Sequence, residues 1–130
     1  MGNLRVFIVD DDSSVRRILV RNFERAGFTV TTASDGEEAL GKIRGDRETY
    51  DVLITDLHMP RMDGRRLCES LAEDPGRFPG SVFVVTSRAH EDERSWVERY
   101  ENIQLVEKPV GPRHLLRLVR RRLMVGAPGE

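Results

Sequence analysis

The chain has 130 residues, of which 38% are hydrophobic and 33% are charged, and its formal net charge is −1. This length and composition are typical of one globular domain with a real core, and the balanced charge excludes a general attraction to nucleic acid or to an anionic membrane. The one cysteine, Cys68, excludes an internal disulfide and a cysteine cluster for a metal ion.

The first half of the chain alternates strand and helix patterns. An apolar run at 4–9 predicts a buried strand, and because three aspartates follow it directly it does not resemble a signal peptide. Apolar residues at helical spacing predict a helix over 15–23, and Gly27 ends it. A β-branched segment at 28–33 then predicts the second strand, and 36–43 the second helix.

The second half continues this alternation. The apolar run 52–56 ends on Asp56 and predicts the third strand, and a third helix follows from about 63 to 71. The most apolar segment, 82–86, predicts a central strand. The remaining elements are an acidic helix, a short strand and a basic helix, over 90–100, over 103–106 and from Pro112 onwards.

Five strand–helix pairs in succession predict an α/β fold. We expect a doubly wound, five-stranded parallel sheet with helices on both faces and right-handed crossovers. One domain should cover 1–124, followed by a flexible tail at 125–130. Since no apolar stretch approaches the ~20 residues that span a bilayer, we expect a cytoplasmic protein.

Polar side chains collect at the predicted carboxyl ends of the strands, which is where sheets of this kind bind ligands. Asp10 and Asp11 follow the first strand, and Asp56 ends the third. Thr86 ends the fourth strand, and Lys108 follows the fifth. The sequence therefore predicts that three acids, a hydroxyl and a lysine converge at one edge of the sheet.

Carboxylates brought together in this way favour a bound proton or cation. At a separation of about 5 Å each pair repels by ~3 kcal/mol at an effective dielectric of ~20. Oxygen ligands favour a hard ion, and Mg²⁺ binds with few carboxylates and several waters. Such an ion would neutralise an incoming phosphoryl group, and phosphoryl transfer depends mainly on positioning and charge neutralisation.

Four motifs in this order resemble the receiver domain of two-component response regulators, of the chemotaxis-regulator-like kind. The motifs are Val9-Asp10-Asp11 with Arg16, the segment 55–64, Val85-Thr86-Ser87 and Lys108-Pro109. The intervals also suit the family. They are 45, 30 and 22 residues, between Asp11, Asp56, Thr86 and Lys108 in turn. The likeness covers nearly the whole chain, from 4 to about 124.

This resemblance implies a fold and a phosphotransfer chemistry. The fold is flavodoxin-like, with strand order 2-1-3-4-5. Asp56 matches the phosphoacceptor, which takes a phosphoryl group from a sensor histidine kinase or a histidine phosphotransfer protein. Thr86 matches the switch hydroxyl, Lys108 matches the phosphate-binding lysine, and the Lys108–Pro109 peptide bond is expected to be cis.

The resemblance also implies Mg²⁺ as the cofactor. Asp11 and Asp56 match the metal-binding carboxylates, the backbone carbonyl of His58 matches the third protein ligand, and Asp10 is expected to help through water. Phosphorylation should then switch the surface of helix four, strand five and helix five for an unknown downstream protein. The expected state is a monomer or a weak phosphorylation-linked dimer, without direct contact to nucleic acid or membrane, and not an enzyme beyond self-catalysed phosphotransfer and autodephosphorylation.

Two positions depart from the family pattern and two lie at sites that vary within it. Leu105 stands where Tyr or Phe is usual, so we expect the output to depend more on backbone movement of the neighbouring loops than on a ring. Val110 stands where Phe is common. His58 and Arg88 match variable positions, and we hypothesise that they influence the lifetime of the phosphoryl group by hindering or misdirecting water.

Two other functions stay open. One is a receiver-like binding module that is never phosphorylated, and the complete set of acids, hydroxyl and lysine argues against it. The other is a Mg²⁺-dependent phosphatase or phosphotransferase for small molecules, which typically has a second acid two residues after the nucleophile, where this chain has His58. We expect a complete single-domain regulator, with a receiver from a longer chain as the alternative.

Overall fold

Five strands and five helices alternate in the computed structural model, which describes residues 4–125. The strands are β1 (Arg5–Val9), β2 (Thr29–Ala33), β3 (Val52–Asp56), β4 (Ser81–Thr86) and β5 (Ile103–Glu107). The helices are α1 (Ser13–Arg25), α2 (Gly36–Gly45), α3 (Gly64–Ala72), α4 (Glu91–Val97) and α5 (Pro112–Val125). Of the tail predicted at 125–130, Val125 is the last residue of α5 and the remainder lies outside the described residues.

All strands are parallel, in the order β2-β1-β3-β4-β5. This confirms the predicted flavodoxin-like fold and its strand order. The strand at 82–86 is an inner strand, as predicted, because β4 pairs with β3 on one side and with the edge strand β5 on the other. Every residue of β4 and of the middle strand β3 is buried.

Two hydrophobic cores lie on opposite faces of the sheet, because successive strand residues point to opposite sides. Phe7 and Val9 of β1 belong to the core that α2, α3 and α4 cover. Val6 and Ile8 belong to the core that α1 and α5 cover. The predicted arrangement of helices on both faces is therefore confirmed.

The acidic helix α4 is shorter than the predicted 90–100. It ends at Val97, where the chain tightens into a turn: the Tyr100 N–H donates to the Val97 carbonyl at 3.0 Å, three residues back. Tyr100 stays partly buried, with its ring centroid 5.9 Å from that of Trp96. The apolar pattern therefore continues past the helix end, because the turn toward β5 keeps Tyr100 against the core.

Candidate functional site

Three carboxylates meet at the carboxyl edge of the sheet. Asp10 and Asp11 directly follow β1, and Asp56 is the last residue of β3. One carboxylate oxygen from each lies within 4.8 Å of the others. Asp10 and Asp56 are buried, with 6% and 7% of their surface exposed, whereas Asp11 is exposed. The structure therefore brings the three predicted carboxylates together.

Within this cluster, burial and neighbouring charge disfavour the ionised form of Asp10. The pKa of its carboxyl is raised to about 6, mainly by burial and also by the nearby Asp56. The hydrogen bond from the Asp12 N–H to Asp10 Oδ1, at 2.9 Å, and the charge of Lys108 oppose this rise. The Arg16 guanidinium donates to the backbone carbonyl of Asp10 at 2.6 Å, which fixes the backbone. The cluster therefore holds more negative charge than its burial favours, and it favours a proton or a cation.

Lys108 faces the cluster from the loop after β5. Its Nζ lies 2.8 Å from Asp56 Oδ1. Burial lowers the pKa of Lys108, but the hydrogen bond to Asp56 and the negative charges around it outweigh that effect, so the pKa is raised overall. The Lys108 N–H donates to the Thr86 carbonyl at 2.7 Å, and the Lys108–Pro109 peptide bond is cis, as expected.

Thr86 lies at the end of β4 with its hydroxyl turned toward its own loop. The hydroxyl donates to the Arg88 carbonyl at 2.9 Å and accepts from the Arg88 N–H at 3.3 Å. To donate to a group on Asp56, this hydroxyl must therefore give up its hydrogen bond to the Arg88 carbonyl. One strand further, the partly buried Leu105 packs against the core cluster that contains Trp96.

His58 and Arg88 lie on the loops that follow β3 and β4, and both are exposed. A role of the His58 carbonyl in metal binding stays a prediction, as does the influence of both side chains on the phosphoryl lifetime.

Across residues 4–125, no helix is both long and apolar enough to cross a membrane.

Gly64 supports the position of Asp56, a role that sequence reasoning missed. A Cβ atom at this glycine would lie 2.2 Å from the backbone oxygen of Asp56. The Gly64 N–H donates to the Leu57 carbonyl at 2.8 Å, so α3 begins pressed against the end of β3. Glycine is required here by this close approach of two backbones.

The loop between β3 and α3 is also tied to the loop before α2. Arg61 has a φ of 66° and donates through Nε to the buried carboxylate of Asp35 at 2.9 Å. The Gly36 N–H donates to the Met62 carbonyl at 3.1 Å. The sequence signal for this contact between the two loops is a pair of Asp-Gly steps, at 35–36 and 63–64, each of which opens a helix.

An apolar cavity of about 370 Å³ extends from the carboxylate cluster into the space between α1 and α5. Asp10, Asp56 and Lys108 lie at its polar end. Aliphatic residues of both helices and of the sheet form its other walls. Sequence reasoning did not predict this cavity, although Val110, where a larger ring is common, was the signal for it.

Comparison with known sequences identifies the same pattern over almost the whole chain. A family model described as the response regulator receiver domain matches residues 6–120. The alkaline phosphatase synthesis transcriptional regulatory protein PhoP of Bacillus subtilis is 32% identical over 131 residues, which cover 98% of this chain and 53% of PhoP. Response regulator MprA of Mycobacterium ulcerans is 40% identical over 92 residues, which cover 71% of this chain and 38% of MprA. The chain thus spans about half or less of the length of these relatives.

Comparison of folds gives the same result. The chemotaxis protein CheY4 of Vibrio cholerae superimposes with a TM-score of 0.82 at 28% sequence identity. The match covers 92% of this chain and 98% of the CheY4 chain. The likeness therefore extends over the complete α/β unit of CheY4.

Proposed function

The chain belongs to the receiver domains of two-component response regulators, and from this we propose that Asp56 accepts a phosphoryl group. Receiver domains are signalling domains that interact with histidine kinases and downstream effectors, and they are generally not classed as enzymes. The observation that supports the proposal is the setting of Asp56, a buried carboxylate with oxygens of two other acids within 4.8 Å and with Lys108 Nζ at 2.8 Å.

The donor in this proposal is the phosphohistidine of a sensor histidine kinase or a histidine phosphotransfer protein in the cytoplasm. A carboxylate oxygen of Asp56 attacks the phosphorus, so that an O–P bond forms while the P–N bond breaks. The bonding electron pair leaves with the imidazole nitrogen. Lys108 then exchanges its bond to the free carboxylate for a charge-assisted hydrogen bond to a phosphoryl oxygen.

We propose Mg²⁺ as the cofactor, because the donor set fits it. The three carboxylates provide hard oxygen ligands within 4.8 Å of one another. Asp11 and Asp56, with the His58 backbone carbonyl, would hold the ion, and Asp10 would act through water. When bound, Mg²⁺ supplies positive charge that neutralises the phosphoryl group in transfer.

Thr86 connects this chemistry to the rest of the molecule. When its hydroxyl turns to the phosphoryl oxygens it gives up its hydrogen bond to the Arg88 carbonyl, and the loop before α4 is released. A shift in the population of two conformations of the surface formed by α4, β5 and α5 would then be sensed by a downstream protein.

The test is Mg²⁺-dependent labelling with acetyl phosphate, followed by intact mass. We expect wild type to gain one phosphoryl group and Asp56→Asn to gain none. Asp63→Asn is the matched control, because Asp63 caps α3 by accepting the Arg66 N–H at 2.8 Å, and asparagine caps equally well. Native labelling of Asp56→Asn would contradict the assignment.

The same preparation separates the two alternatives. Wild type that stays unlabelled and does not bind beryllofluoride with Mg²⁺ would favour a binding module. Sustained turnover of p-nitrophenyl phosphate would favour a small-molecule phosphatase.

A further inference from the structure

The cavity between α1 and α5 has the size and character of a small-molecule site. Its volume of about 370 Å³ lies in the range of ligand pockets, roughly 300–1,000 Å³. An apolar cavity of roughly 150 Å³ already stays dry and binds benzene. This cavity therefore has room for a body of two fused rings.

The apolar walls come from both helices and from the sheet between them. Val15, Ile18 and Leu19 of α1 face Val110 and Leu115 across the cavity. Ile18 is 51% exposed, so the wall on the α1 side reaches the surface and gives a ligand a way in. Valine at 110 leaves this space open, because a phenylalanine ring there would occupy part of it.

The polar end of the cavity carries a net negative charge. Lys108 neutralises Asp56 through the 2.8 Å contact. Asp10 is 6% exposed, and no basic side chain among residues 4–125 lies within ion-pair distance of its carboxylate. An anionic group would be repelled at this end. A cationic group would instead provide the positively charged partner that the Asp10 carboxylate lacks.

We propose that this cavity binds a hydrophobic amine, with a two-ring or similar apolar body between α1 and α5 and an ammonium group at Asp10. The ammonium occupies the same electrostatic position as a cation bound by the carboxylate cluster. The amine and Mg²⁺ therefore exclude each other, and each weakens the binding of the other by the same factor. Because the amine displaces Mg²⁺, it inhibits phosphoryl transfer. This last step rests on the proposed phosphorylation of Asp56.

Three probes with one indole body and different charge test the chemistry by isothermal titration calorimetry without Mg²⁺. We expect tryptamine to bind about tenfold or more tightly than the neutral tryptophol, and indoleacetate to bind most weakly. The apparent Kd of tryptamine should rise in proportion to added Mg²⁺. Equal affinities for the three probes, or a Kd independent of Mg²⁺, would overturn the proposal.

Two variants locate the site. Val110→Phe occupies part of the cavity and should weaken tryptamine binding by about tenfold or more. Val20→Phe makes the same change on α1 at a residue that does not line the cavity, and should bind tryptamine as wild type does. Ile18→Ala removes part of the exposed wall, so it is tolerated by the fold and should weaken binding several-fold. If thermal denaturation shows Val110→Phe unfolded, Ile18→Ala decides, and tryptamine binding unaffected by that variant contradicts the location.

The acetyl phosphate assay separates this proposal from the proposed function. If wild type is labelled and tryptamine slows the labelling of wild type but not of Val110→Phe, both stand. If wild type is never labelled, the phosphoacceptor assignment fails while calorimetry still decides whether the amine binds. Labelling of wild type unaffected by saturating tryptamine would refute inhibition alone.

Discussion

Asp10 is the residue at which burial and charge conflict most directly. Its carboxyl pKa is about 6 in the folded protein, against 3.8 for an unperturbed aspartate. The folded state therefore binds a proton more tightly than the unfolded state does. As pH rises from about 4 through 6, wild type loses stability because this carboxyl must ionise in place.

Asp10→Asn removes that cost. Without Mg²⁺ at pH 7.5, we expect the variant to be more stable than wild type by about 1–2 kcal/mol. The difference should shrink as the pH falls through 6 and disappear below about pH 3, where the wild-type carboxyl is protonated in both the folded and the unfolded state. Urea denaturation at four pH values measures it, and an advantage of equal size at every pH would show that something other than ionisation is responsible.

The positions of the acids and of Lys108 were predictable, but the orientation of Thr86 was not. Parallel strands place their carboxyl ends at one edge of the sheet. The shared location of Asp10, Asp56 and Lys108 therefore follows from their positions at the ends of three strands. The Thr86 hydroxyl instead takes its partners from Arg88. That choice depends on the path of a loop, which no periodic pattern in the sequence encodes.

At the scale of elements, the start of α3 fixes the position of the end of β3, which carries Asp56. Gly64→Ala would place a Cβ 2.2 Å from the Asp56 backbone oxygen, and because both partners are backbone the strand end or the helix must move. We expect a loss of about 2 kcal/mol or more in the free energy of unfolding. Phosphorylation by acetyl phosphate should slow by roughly tenfold or more, since small misplacements of a nucleophile are costly.

Gly41→Ala in α2 is the matched control. A Cβ there meets nothing within 4 Å, so the change should stabilise the protein by about 0.5–1 kcal/mol and leave phosphorylation unaffected. Equal effects of the two substitutions on stability would mean that the close contact at Gly64 is relieved without cost.

Element boundaries were predictable where a cap marks them. Asp12, Asp35 and Asp63 each accept backbone N–H groups at the first turn of a helix, and the corresponding starts were read from the sequence. The end of α4 at Val97 has no such signal, because Tyr100 continues the apolar pattern into the turn. Tertiary packing decides that boundary.

At the scale of the whole molecule, strand order and helix placement followed from alternation and the family motifs, but the cavity did not. A cavity depends on how side chains from α1, the sheet and α5 fill a shared volume, and Val110 affects that volume without changing any pattern. The packing around α4 was not predictable for the same reason, since it also depends on how side chains fill a shared volume. Leu105 stands there in place of the usual ring, and Trp96 provides a large buried aromatic side chain.

The fluorescence of Trp96 measures directly whether a change at the carboxylate cluster alters the packing of α4. Trp96 is the only tryptophan and is 1% exposed, and its indole N–H has no hydrogen-bond partner among the described residues. A buried unpaired donor costs about 1–3 kcal/mol, so the observed packing of α4 is held less firmly than its burial suggests. Release of the loop at Arg88, when Thr86 turns away, should favour a conformation in which the indole reaches water.

We therefore expect beryllofluoride with Mg²⁺ to move the Trp96 emission to longer wavelength and to increase its quenching by acrylamide. Asp56→Asn should show neither change, and Thr86→Ala should bind beryllofluoride with a much smaller change in emission, because its side chain cannot exchange partners. Fluorine NMR establishes independently that the mimic is bound. Bound beryllofluoride with unaltered emission in wild type would mean that α4 keeps its packing, and the signal would then have to leave the site through β5 and α5 without it.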